Sequence, residues 1–127
     1  MITDARRLRA VFALCGAAAL AACGGDGNSI TGVTSGPPTP TPTASVSALP
    51  SLTFAPGSVA IVVGGTVTFD FGAVAHDVFF DNAPAGAPAN ITDPSANKSV
   101  TLTFATKGTY QYNCHIHPGM RGTITVE

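Results

Sequence analysis

From about Leu52 to the C-terminus, apolar and polar residues alternate with a period of two. Val59, Ile61 and Val63 share one parity. Val67, Phe69 and Phe71 face one way while Thr66, Thr68 and Asp70 face the other. The alternation returns in Val100, Leu102 and Phe104, again in Tyr110, Tyr112 and Cys114, and finally in Ile124 and Val126. Runs of this kind, rich in Val, Thr, Phe and Tyr and punctuated by Gly and Pro, predict half-buried strands. Gly64-Gly65 reads as the turn between the first two runs, and Asn82 to Asn97, with three prolines, as one long irregular connection. No stretch keeps a helical period for three turns. The expected fold is therefore all-β, a small antiparallel Greek-key β-sandwich spanning residues 51–127.

The pattern upstream is different in kind. Arg6, Arg7 and Arg9 precede an apolar run, Ala10 to Leu20, that is too short to span a bilayer comfortably. This is the layout of a secretory signal peptide. The run ends in Leu20-Ala21-Ala22-Cys23-Gly24, which resembles the lipobox of bacterial lipoproteins, in which the Cys is lipidated and becomes the mature N-terminus. Residues 1–22 are expected to be the lipoprotein signal. The alternative is an ordinary signal peptide cut after a small residue such as Ala21, giving a soluble periplasmic protein. From Cys23 to Pro50 the chain is mostly Gly, Ser, Thr and Pro, with Pro37-Pro38-Thr39-Pro40-Thr41-Pro42 at its centre. So few large apolar groups cannot offset the entropy of ordering, and residues 23–50 read as a lipidated Cys followed by a disordered linker.

Composition narrows the possible functions. The chain has 127 residues, 45% hydrophobic and only 10% charged. Outside residues 1–22, three basic residues face six acidic ones, so the clustered positive face of a nucleic-acid binder is missing. A single domain of this size, expected to be a monomer, leaves no room for a nucleotide-binding unit of its own. Cysteine usage is more informative. Cys15 falls in the signal and Cys23 is the lipidation candidate, which leaves Cys114 as a lone thiol in an exported protein.

Cys114 opens the segment Cys114-His115-Ile116-His117-Pro118-Gly119-Met120, and His76 lies upstream at the start of another strand. The start of one strand and the end of its antiparallel neighbour share a pole of a sandwich. Two imidazoles (His76 and His117), one thiol (Cys114) and one thioether (Met120) can converge there. His115 has the wrong parity and should point away. Soft sulfur ligands combined with imidazole suit copper in both oxidation states. Zinc accepts Cys and His but is poorly served by a thioether.

On these residues the chain resembles the cupredoxins, the type 1 copper proteins of the plastocyanin and amicyanin kind. The Cys-x2-His-x2-Met spacing matches their contracted ligand loop. Tyr110-Gln111-Tyr112-Asn113 before it, Gly122 to Val126 after it, and Phe54-Ala55-Pro56 with Gly64 to Phe69 upstream resemble their strands. Asp77 stands where that family usually has an Asn linking the two ligand loops. The resemblance implies one copper ion cycling between Cu(I) and Cu(II), with His76, Cys114 and His117 equatorial and Met120 axial. It also implies that His117 presents an edge at the surface as the electron port. Redox partner proteins would then dock near His117 and Pro118. The expected function is single-electron transfer in the bacterial cell envelope, on the periplasmic side and anchored through Cys23. Copper binding or delivery without redox traffic would use the same residues. An enzyme is not expected, because three His in the whole chain cannot build an oxidase's further copper cluster, and no acid–base pair is evident.

Overall fold

The computed structural model describes residues 36–127, and every regular element among them is a strand. The expected signal segment, Cys23 and the first part of the expected linker lie outside the described residues. The strands are β1 (Thr41–Leu49), β2 (Thr53–Ala55), β3 (Ser58–Phe71), β4 (His76–Asn82), β5 (Ile91–Ser95), β6 (Lys98–Thr103), β7 (Gly108–Asn113) and β8 (Arg121–Val126).

The long strand β3, rich in Val, Ile, Thr and Phe, organises the rest. Its first half runs parallel to β8, from Ser58 opposite Thr123 to Ile61 opposite Val126. Its second half pairs antiparallel with β6 and parallel with β1. One layer is therefore β2-β1-β3-β6, and the other continues from the first half of β3 through β8, β7 and β4 to β5. Gly64-Gly65, expected as a turn between two strands, is instead the bend within one strand that passes it from one layer to the other. Gly64 has φ 80, a conformation that costs glycine little. A Cβ on Gly65 would lie 2.8 Å from the carbonyl oxygens of Pro42 and Val62, so only glycine fits between these backbones. The same bend takes Val63 out of the parity it shares with Val59 and Ile61. Those two are buried and Val63 is 49% exposed.

Three further expectations are corrected. The sandwich is not wholly antiparallel, because β1–β3 and β3–β8 are parallel; no tight turn joins either pair, so nothing forces the chain to reverse between them. Thr41–Leu49, assigned to the linker, is strand β1. Its low hydrophobicity is that of a half-exposed strand, with only Val46 and Ala48 fully turned into the core. The stretch from Asn82 to Asn97 contains β5, which pairs with β4 at His76–Ser95 and Val78–Ile91. Its Pro94 is tolerated because β5 is at the end of its layer, where an absent N–H breaks no central ladder.

Between the layers, Val46, Val67 and Phe69 pack against Tyr110, Tyr112 and Ile124. The aromatic rings meet edge to face, with Phe69–Tyr112 centroids 5.3 Å apart and Phe54–Tyr112 4.9 Å apart, the arrangement that ring quadrupoles favour. Tyr112 lies directly opposite Gly122 on β8. A Cβ on Gly122 would come within 2.2 Å of the Tyr112 ring and hydroxyl. Gly122→Ala is therefore expected to destabilise the metal-free domain by about 1–3 kcal/mol through overpacking. Denaturant unfolding measures this, and an unchanged midpoint would show that the Tyr112 ring has room to move.

Two consequences of the topology position the site. Antiparallel β4 and β7, with Phe79 opposite Asn113, bring the first residue of β4 and the residue after β7 to one pole. Strand β1 starts at the other pole, Thr41 opposite Ile61, and ends at Leu49 near the first.

Candidate metal centre

His76 is the first residue of β4 and is fully buried. Cys114 follows the last residue of β7 and is 2% exposed. The chain then forms a tight loop before β8. The Cys114 N–H donates to the Met120 carbonyl at 3.0 Å, and the Met120 N–H to the His117 carbonyl at 3.2 Å. Gly119, with φ 95, makes the reversal possible. These bonds return the chain to β8 while holding His117 over the thiol.

The structure brings three of the four expected ligands together as donors. Cys114 Sγ lies 3.9 Å from His76 Nδ1 and 3.8 Å from His117 Nδ1, and the two Nδ1 atoms are 3.1 Å apart. A point equidistant from the three corners of this triangle is about 2.1 Å from each, within the range of metal–nitrogen and metal–sulfur bonds. A site with these donors, two ring nitrogens and a thiol facing one point, fits a single metal ion. Met120, the fourth expected ligand, belongs to the same loop and its side chain is buried. His115 points elsewhere, as expected. It is exposed and stacks on Phe79, with centroids 3.8 Å apart.

The electrostatics favour a neutral, metal-ready His76. Burial, and then the neighbouring His117, push its pKa below the ordinary 6.5, outweighing the Leu49 carbonyl and Asp77, which raise it. A neutral imidazole is the form that binds metal. The sign for stability follows by linkage. Above pH 6.5 both folded and unfolded chains hold His76 neutral, and it contributes no pH dependence. As pH falls from 6.5 towards the lower folded value, the unfolded chain takes up a proton that the folded one refuses, so folding stability drops. The metal-free protein is expected to lose melting temperature over this window by more than a His76→Gln variant does; equal losses would contradict it.

Two features of the site complete the picture: the covering of His115 had no sequence signal, and Asp77, noted where the resembled family has a linking Asn, makes such a link itself. Phe79 covers His115 because the β4–β7 register puts them side by side. Asp77 is 4% exposed, and its Oδ1 accepts the His115 N–H at 2.6 Å. The Asp77 carboxylate thus ties the His76 strand to the Cys114 loop.

One cysteine sulfur and two imidazoles held in a β-sandwich define a copper protein of the blue, electron-carrying class. The comparisons agree. The family of copper binding proteins described as plastocyanin/azurin matches residues 43–127, and the chain belongs to it. The chain is 39% identical to plastocyanin from Scenedesmus fuscus over 87 residues, covering 61% of this chain and 89% of that one. A reduced, Cu(I) structure of an amicyanin variant superposes with a TM-score of 0.58 and 30% identity, covering 70% of this chain and 86% of that one. A copper-containing nitrite reductase from Thermus scotoductus superposes with a TM-score of 0.57 and 28% identity, over 71% of this chain but only 23% of the enzyme's.

Proposed function

We propose that this protein is an exported one-electron carrier, tethered to the periplasmic side of a bacterial membrane through Cys23. The observation that carries the redox reading is the triangle of His76, Cys114 and His117 donors, held at one pole by the start of β4 and the hydrogen-bonded loop after β7. Copper bound there would supply a single-electron couple. The chain's own residues hold the donors fixed, so little must move when the charge changes. Met120 is the proposed axial ligand, which would tune the potential. His117 is half-buried, and its neighbours Ile116, Pro118 and Gly119 are exposed. They form a small, weakly charged face suited to transient contact with a redox partner protein.

Repeated reduction and reoxidation of the copper-loaded protein tests the redox reading. One copper per chain is expected to remain through every cycle, whereas copper lost on reduction would favour a delivery protein.

The tether reading rests on the Leu20-Ala21-Ala22-Cys23 motif. Cys23→Ala is expected to release the protein from membranes with its copper site intact, since each buried acyl CH₂ contributes about 0.8 kcal/mol of anchoring. A variant still membrane-bound after a salt wash would contradict the anchor and leave the copper site untouched.

A further inference from the structure

Asp77 is a buried carboxylate that coordination does not use. Its Oδ1 accepts the His115 N–H, and no Lys or Arg pairs with it among the described residues. It follows His76 in the chain and is bonded to the residue that follows Cys114, so it sits beside two of the three donors. A buried charge without a counter-ion is costly. The charge of the centre itself offers one. One thiolate and two neutral imidazoles around copper leave one net positive charge when the centre is oxidised and none when it is reduced. With Asp77 included, the oxidised centre is neutral overall and the reduced centre is negative.

We infer that Asp77 sets the reduction potential of this centre, holding it down by stabilising the oxidised state with a buried negative charge. This rests on the copper reading above and goes beyond it. Asp77 acts as a positioning residue through its hydrogen bond to His115, and its charge is a separable second role. Screening is weak at such a site, because Asp77, His76 and Cys114 are all buried away from bulk water.

The substitution Asp77→Asn separates the two roles, since an Asn Oδ1 still accepts the His115 N–H while the charge is gone. In voltammetry of the copper-loaded protein its midpoint potential is expected to rise. A tenfold shift of the reduction equilibrium, or 59 mV for one electron, sets the scale. Competition with chelators gives a second readout that involves no electron transfer: Cu(II) affinity should fall about tenfold more than Cu(I) affinity. Asp77→Ser, neutral and still able to accept a hydrogen bond, should move the potential the same way and keeps the test available if the Asn variant folds poorly. Asp77→Ala should in addition lower the melting temperature of the metal-free protein, because the link between the loops is lost. A potential that stays level or falls in Asp77→Asn, with the visible copper band retained, overturns the inference and leaves the copper reading standing. An unaltered protein that binds copper without any visible band overturns the copper reading, and the inference with it.

Discussion

Replacing Cys114 with Ala is expected to abolish the intense visible absorption of the copper-loaded protein. That absorption is thiolate-to-copper charge transfer, and Cys114 Sγ forms one corner of the donor triangle, 3.8–3.9 Å from both ring nitrogens. Cys114 is the free cysteine among the described residues, so no other soft anionic donor there can take its place. Cys114→Ser should give the same result, because a hard hydroxyl oxygen does not supply the covalent bond that produces the band. Both variants should still fold without metal. Cys114 behaves as a small buried apolar group, and losing it costs about 1–2 kcal/mol at most sites of this kind. The absorption spectrum of each variant, loaded with one equivalent of Cu(II), is the measurement. A band that survives in either variant would show that the sulfur is not a ligand.

The second large effect concerns the N-terminal border of the fold. A chain beginning at Ser51 is expected to be largely unfolded, whereas one beginning at Gly36 should melt cooperatively. Strand β1 runs beside β3 from Thr43 opposite Thr66 to Ala48 opposite Phe71, and it also carries β2 at Ser47–Ala55 and Leu49–Thr53. Removing it exposes the core face beneath Val46 and Ala48 and leaves β2, with its buried Phe54, without its partner. The apolar side chains alone account for about 3 kcal/mol, a large part of the roughly 5–15 kcal/mol that holds a small domain together. The lost ladder adds to this. Circular dichroism melts of the two shortened chains decide the matter, and a cooperative melt from the chain beginning at Ser51 would return β1 to the linker.

That border was the least legible part of the fold. Thr41–Leu49 has Pro, Ser and Thr at most positions, and its alternation rests on Ala44, Val46 and Ala48. Short runs of small residues carry little periodic signal beside a proline-rich tract. The strands from Val67 to Phe71, from Tyr110 to Cys114 and from Ile124 to Val126 were legible because large apolar groups alternate there with Thr and Gln, and all of these apolar side chains are buried. Gly64-Gly65 misled because two glycines fit a turn and a bend equally well. Only the Pro42 carbonyl and the crossing of β3 between layers decide between them, and those are tertiary facts. At the site, the spacing from Cys114 to His117 was readable because the loop is local. The arrival of His76 was readable because antiparallel neighbours share a pole. The burial of Asp77 and the stacking of His115 on Phe79 depend on the β4–β7 register, which no local pattern specifies.

The donor set itself is tested most directly by copper K-edge X-ray absorption on the fully loaded, unaltered protein. The triangle of His76, Cys114 and His117 requires an inner shell of two nitrogens and one sulfur, retained when the copper is reduced. An inner shell of nitrogen and oxygen only, with no sulfur in either state, would contradict it.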